Sequence, residues 1–324
     1  MRNVIFGDKS LLEAPMLRFW LLRFHRWIAL TLSIPLAVVI VTGLILSFEP
    51  MVMGTGNPAV TPASIGAALA KYDPEGKARS ISIRSYDGTL SIGGRSQATV
   101  VDLATNERAA APGALATVFG SSRRLHENFI YDLRWVVTAS TIGMLAMILL
   151  GVLMGWPRIR NTVSGWHQGA AWFVLPLVIL SPLTGLALAF GITFTAPVAR
   201  PAGAPVSLNE ALKIVGAQYD LSRITWIRPL GGALAARVND GGELRVFAVT
   251  RDGLVPFARN WPRLIHEGNW SAVTAPMLNV ITSMALVILM VTGLWIWSRR
   301  QFRRRQPRAA RPARAQIVGS TENA

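Results

Sequence analysis

Four stretches of this chain, Trp27 to Phe48, Trp135 to Trp156, Ala170 to Phe190 and about Val273 to Trp297, are long, apolar and free of Asp, Glu, Lys and Arg. A bilayer hydrocarbon core of roughly 30 Å is crossed by about 20 apolar residues of helix. Within it, backbone polar groups must be satisfied inside the segment, so each stretch is expected to be a transmembrane helix. The whole chain agrees: 51% of its 324 residues are hydrophobic and 15% charged, too apolar a balance for a soluble domain. The net charge of +16 does not indicate nucleic acid, because eight arginines crowd Arg299 to Arg314, directly after the last apolar stretch. Such a tail sets topology and meets the anionic headgroups of the lipid bilayer.

Arginines also gather before the first span (Arg18, Arg23, Arg26) and between the second and third (Arg158, Arg160). The positive-inside rule then places both termini in the cytoplasm. The first stretch is too long for a secretory signal and no small-residue cleavage site follows it, so it reads as a retained anchor. Trp20, Trp27, Trp135, Trp156, Trp166, Trp295 and Trp297 suit the interfacial belt.

The expected division is residues 1–49 for the cytoplasmic N-terminus and first span, and 50–122 for an outer segment. Residues 123–198 hold the second span, a short loop and the third span, and 199–262 a second outer segment. The fourth span is 263–298 and the basic tail 299–324. Both outer segments read as small α+β units. In the first, a helix over Thr61 to Tyr72 precedes strands at Arg79 to Ser85, Thr89 to Ile92 and Ala98 to Leu103. In the second, a helix over Ser207 to Tyr219 precedes strands near Arg223 to Arg228, Ala233 to Val238 and Leu244 to Val249. Asp87-Gly88, Gly93-Gly94, Asn239 to Gly242 and Arg251 to Gly253 supply the turns.

The halves repeat. His25 is followed 17 residues later by Thr42-Gly43, and His167 by Thr184-Gly185 at the same interval. Arg124-Leu125-His126-Glu127-Asn128 precedes the second span, as Leu264-Ile265-His266-Glu267-Gly268-Asn269 precedes the fourth. The period of about 142 residues marks a duplicated two-helix unit in parallel orientation. The fold class is therefore a mainly α membrane protein, a four-transmembrane-helix bundle with two small α+β segments outside.

All four histidines of the chain fall on repeated positions, two per membrane face. Ionisable residues in or beside membrane helices usually face the bundle interior and mark function. Pairing His25 with His167 and His126 with His266 across the repeat gives one bis-imidazole site per face, which suits the axial ligation of low-spin haem iron. Zinc would need further ligands from Glu127 and Glu267, and a di-iron carboxylate centre has no Glu-x-x-His motif to build on. The chain has no cysteine, which excludes disulfides, iron–sulfur clusters, thiolate chemistry and covalent haem c. Arg23, Arg26, Arg123, Arg124 and Arg263 are candidates for holding haem propionates, with topology flanking as the other reading of Arg23 and Arg26. Gly43 and Gly185 allow a macrocycle or a neighbouring helix to come close. Pro35, Pro176, Pro182 and Pro276 are kink positions. Met144, Met147, Met284 and Met290 read as packing.

These motifs resemble the PepSY-associated transmembrane family, and within it the FoxB-like ferric-siderophore reductases. The likeness is carried by Leu22-Arg23-Phe24-His25-Arg26-Trp27 leading to Thr42-Gly43, Trp166-His167-Gln168 leading to Thr184-Gly185, Leu125-His126-Glu127, and the two outer segments, which are PepSY-like. The resemblance implies haem b, hence two haem b in the two histidine pairs. It also implies the bacterial inner membrane, periplasmic outer segments, and one-electron reduction of Fe(III) held by a siderophore or similar chelate. No nucleotide-binding motif is present in the sequence, so the expected electron donor is a membrane quinol or a cytoplasmic flavoprotein. The alternatives are a non-enzymatic PepSY-type binding or regulatory protein, and a small iron or chelate permease. Against the permease, the spans are expected to lack buried carboxylates and discontinuous helices.

Overall fold

The computed structural model describes residues 15–54, 56–93, 98–157, 159–195 and 206–305. Arg158, Arg308, Arg311 and Arg314, expected to set topology, lie outside the described residues, as do residues 199–205 of the second outer segment.

The first apolar stretch forms α1 (Pro15–Thr31) and α2 (Ser33–Ser47), continued by the short α3 (Glu49–Gly54). The second forms α6 (Arg134–Leu153), the third α7 (Val163–Phe173) and α8 (Leu175–Ala189), and the fourth α11 (Thr274–Arg305). Two spans are discontinuous, which corrects the expectation of unbroken helices. The breaks fall at Leu32 (φ −97°, ψ 8°) and Val174 (φ −96°, ψ 8°), equivalent positions of the repeat with the same backbone geometry. Pro35 and Pro176 lie just beyond, where the missing N–H and the ring prevent regular continuation of the preceding turn. Three helical segments, Ser33–Gly54, Arg134–Leu153 and Thr274–Arg303, are individually long and apolar enough to cross a membrane. The pair α7–α8 reaches that length across a 65° bend, so the described residues hold three or four candidate spans.

The spans pack around a ring in which α2 touches α6 and α11, and α8 touches the same two. The first and third spans thus stand at opposite corners. Leu36, Ile40 and Met144 form the buried centre, with Met147 and Met290 packed against it, the packing role read from sequence. Trp27, Trp135, Trp156, Trp166 and Trp295 remain exposed, as belt residues should.

The turn-rich segments carry α4 (Pro62–Tyr72), β1 (Ser80–Arg84), β2 (Thr89–Gly93), β3 (Ala98–Asp102) and β4 (Glu107–Arg108), then α9 (Leu208–Gly216), β5 (Ile224–Leu230), β6 (Ala233–Asp240), β7 (Glu243–Thr250) and β8 (Gly253–Pro256). Thr61 and Ser64 form a capping box that starts α4, and Ser207 caps α9. The segments are not two separate units. All eight strands form one antiparallel sheet in the order β4-β3-β2-β1-β5-β6-β7-β8, joined across the halves at β1–β5. Strand alternation sends Ile81, Ile83, Leu90, Ile227, Ala236, Val238 and Phe247 into a core beneath α4 and α9. Ser82, Ser91, Trp226 and Arg237 therefore occupy the opposite face. Arg79-x-x-x-Ile83-Arg84 aligns with Arg223-x-x-x-Ile227-Arg228, which makes Ser82 and Trp226 equivalent. These two residues also pair with each other, so they lie on the pseudo-twofold axis.

Two further helices, α5 (Ala114–Asn128) and α10 (Trp261–Glu267), connect sheet to bundle. They precede the second and fourth spans instead of beginning them, and they pack against α2 and α8. The sheet is seated directly on the bundle: the Leu244 N–H donates to the Asn269 carbonyl (3.0 Å) and Ser85 Oγ to the Met53 carbonyl (3.1 Å). A Cβ at Gly242 would lie 2.3 Å from that of Ala272, so this turn approaches the loop before α11 as only glycine allows.

Candidate functional site

Each histidine is docked on a helix of its own half. His126 sits on α5, with Nδ1 3.0 Å from the Val39 carbonyl and 3.2 Å from Thr42 Oγ1 of α2. His266 sits on α10, with Nδ1 3.1 Å from the Ser181 carbonyl and 3.3 Å from Thr184 Oγ1 of α8. His25 on α1 places Nδ1 3.0 Å from the Met147 carbonyl of α6. His167 on α7 places Nδ1 2.8 Å from Thr292 Oγ1 of α11.

The recurring glycines explain the docking. Val39 and Ser181 each stand four residues before a glycine, Gly43 and Gly185. A Cβ on Gly43 would lie 3.1 Å from Cε1 of His126, and one on Gly185 3.0 Å from Cε1 of His266. The bare backbone at these two positions thus admits an imidazole to the helix carbonyls, so the close approach read from the sequence is that of a ring from a neighbouring helix. The Thr-Gly pair is the seat of that ring. Thr292-Gly293 is a third such pair, under His167, and was visible in the sequence as the same dipeptide.

With Nδ1 bonded to a carbonyl in His25, His126 and His266, that nitrogen carries the proton and Nε2 keeps its lone pair; Thr292 can hold His167 in the same tautomer. Among the described residues no hydrogen bond reaches any of the four Nε2 atoms. The rings of His126 and His266 stand 6.0 Å apart, centroid to centroid, with planes 37° apart. Two imidazoles on opposite sides of one metal, each bonded at about 2 Å, have centroids roughly 6 Å apart, so this pair fits a single axial site. His25 and His167 likewise interact electrostatically. The fold brings His126 and His266 together. Among the described residues no three His, Asp or Glu side chains cluster as a zinc or di-iron site would require. Thr292, at the His167 level, and Asn279, whose Nδ2 donates to the His266 carbonyl at 2.8 Å, are 13 residues apart on α11. At 1.5 Å rise per residue the two levels are separated by about 20 Å.

Around the pair nearer the sheet, Arg123 and Arg263 stand three residues before His126 and His266, and each forms an ion pair with the glutamate after its histidine, Glu127 (3.7 Å) and Glu267 (2.9 Å). Arg123 also bonds Glu49 at the end of the first span, and Tyr86 donates to the same carboxylate at 3.4 Å. Burial opposes the Arg123 charge, but Glu49, Glu267 and Glu127 outweigh it and hold its pKa above the ordinary guanidinium value. Arg124 is exposed, with no ion pair among the described residues. The equivalent of Arg263 is Arg123, which alignment on the histidines identifies. On the opposite side, Arg23 is exposed with its guanidinium 5.3 Å from the Trp20 ring centroid, and Arg26 is half-buried beside His25.

Residues 22–300 match a family model described as the PepSY-associated TM region. No curated protein matches the chain.

Proposed function

The chain belongs to the PepSY-associated TM family, and on that premise we propose that it is a membrane oxidoreductase that carries electrons through two haem b groups to Fe(III) in a siderophore or similar chelate. The observation that carries this reading is the double histidine pair: four imidazoles, Nδ1 engaged and Nε2 free, at two depths of one bundle. Haem b would supply one-electron redox chemistry, and His25 with His167 and His126 with His266 would hold the two groups.

The protein's own groups do the rest. Val39, Ser181 and Met147 carbonyls, with Thr292, fix ring orientation and raise imidazole basicity. The 65° bend at Val174 redirects α7 so that His167 reaches α11, and His25, ahead of the break at Leu32, reaches α6. Arg123 and Arg263 sit where propionates of the group nearer the sheet would be held, and Arg26 beside the other pair. The apolar cluster of Leu36, Ile40 and Met144 keeps water out between the levels. Electrons enter on the basic, cytoplasmic side of an inner membrane from a quinol or flavoprotein. They leave on the sheet side, where Fe(III) becomes Fe(II).

Reduced-minus-oxidised spectra of the purified protein test the reading. The expected result is a b-type Soret and α band at two haems per chain. A spectrum without these bands, or one unchanged by His25→Ala with His126→Ala, would overturn it. Proteoliposomes enclosing a reductant should convert an external ferric chelate to Fe(II) while the chelator stays outside.

A further inference from the structure

The repeat is closely kept at the histidines and departs on the sheet face opposite α4 and α9. Ser82 and Trp226 occupy equivalent positions on the pseudo-twofold axis. Their neighbours across the next strand pairs are Ser91 on β2 and Arg237 on β6, again equivalent. At these paired positions one half thus carries two small hydroxyl side chains and the other an indole and a guanidinium, while the equivalent Arg84 and Arg228 add one guanidinium to each half. Nothing in the shared fold demands the difference, since histidines, glycines and the Arg-x-x-His-Glu motif below are the same in both halves.

The charged half is under-compensated. The Arg228 guanidinium lies 4.4 Å from the Trp226 ring centroid and that of Arg237 5.6 Å. Arg237 Nε donates to Thr225 Oγ1 at 2.9 Å, and among the described residues neither Arg237 nor Arg228 forms an ion pair. Glu267 is within electrostatic reach of Arg237, but its two oxygens are taken by Arg263 and the Asn269 amide. Arg123 and Arg263, one from each half, lie within electrostatic reach of Arg237 as well. Burial, opposed by Glu267 and reinforced by the neighbouring arginines, lowers the Arg237 pKa from the ordinary guanidinium value. A partly buried cation with spare donors beside an aromatic face is a receptor for a delocalised anion.

We propose that Trp226, Arg228 and Arg237, beside the small side chains of Ser82 and Ser91, form a binding site for an anionic ferric chelate bearing catecholate or carboxylate groups. This rests on the reductase reading, which it deepens: it selects the substrate by charge, and seats it on the sheet side of the His126–His266 pair. The arginines accept the anionic oxygens, and the indole packs on a ligand ring.

The test uses gallium(III), which matches Fe(III) in charge and approximate size but accepts no electron. Binding of an anionic Ga(III) tris-catecholate and of a cationic Ga(III) trihydroxamate is measured by calorimetry on the full chain in nanodiscs. The expected result is preference for the anionic complex, weakened by about tenfold or more in Arg237→Gln, the loss of a charge-assisted hydrogen bond. Arg228→Gln and Trp226→Ala weaken it too, and Arg251→Gln, on a turn beside α9, leaves it unchanged. Haem content is measured on every variant. Equal affinity for both complexes, or Arg237→Gln lowering haem content with binding intact, overturns the inference, the latter by giving Arg237 to a propionate. Binding in a protein without haem bands sinks the reductase reading alone. Intact haem bands without binding sink this inference alone.

Discussion

Gly185→Ala and Gly43→Ala isolate the docking of the imidazoles from every other property of the bundle. The new methyl carbon would lie 3.0 Å from Cε1 of His266 or 3.1 Å from Cε1 of His126. Carbon atoms rest at about 3.5–4.0 Å, so each ring must retreat by roughly half an ångström. That stretches the 3.1 Å contact from His266 Nδ1 to the Ser181 carbonyl, and the 3.0 Å contact from His126 to Val39, to the limit of hydrogen bonding near about 3.5 Å. A buried polar group deprived of its partner costs about 1–3 kcal/mol, which is roughly 5- to 150-fold in haem affinity at that site. The helix itself does not suffer, because alanine is favoured over glycine by up to about 1 kcal/mol. Gly151→Ala is the internal control, since a Cβ there meets nothing within 4 Å. Haem transfer to excess apomyoglobin, followed in the Soret band, measures the effect. Transfer at the same rate from Gly43→Ala, Gly185→Ala and Gly151→Ala would refute the docking argument.

His266→Ala should lower the haem-to-protein ratio from two to one and leave the bands of the His25–His167 group in place, as pyridine haemochrome analysis can show. Burial, then Glu49, pushes the Tyr86 pKa up to about 12. The folded protein therefore holds this proton more tightly than the unfolded chain, whose tyrosine titrates near about 10. The stabilisation is complete below about pH 10 and lost as pH rises through about 12, so melting temperature should fall over that window in the native protein and less in Tyr86→Phe. Ile227 is fully buried at the β1–β5 seam, and Ile227→Ala should destabilise the sheet by about 2–5 kcal/mol, read as faster proteolysis between β5 and β8 with helical content retained.

The sequence made visible whatever depended on periodicity or on repetition. The spans followed from apolar length, α4 and α9 from Thr61 and Ser207 ahead of amphipathic runs, and six strands from alternation between turn dipeptides. The histidine pairs were legible because four rare residues fell on one repeat. What escaped depends on contacts between distant segments. The joining of the sheet at Ile81 and Ile227 leaves no local mark, since a strand looks alike at an edge and at a seam. The edge strands β4 and β8 are two and four residues long, too short for a pattern. The breaks at Leu32 and Val174 were signalled by nearby prolines, yet proline in a membrane helix does not by itself announce a discontinuity. His126 and His266 were expected at the starts of spans because the segments after them, 129–133 and 268–273, are too brief to distinguish a bend from a separate helix. Trp226 and Arg237 were missed because they are where the halves differ, and a search for repetition passes over them.

That Ser82 and Trp226 sit on the pseudo-twofold axis bears on how such a protein can be assembled at all. In a homodimer of half-length chains, the residue on the axis would face its own copy, and any change there would be made twice. Two indoles would then compete for the place that Trp226 shares with Ser82, and every guanidinium added on one side would face a twin on the other. Joining the halves in one polypeptide lifts that constraint at the axis while leaving it in force where two identical ligands are wanted. Covalent duplication would thereby reconcile the proposed symmetric conductor with the proposed one-sided receptor.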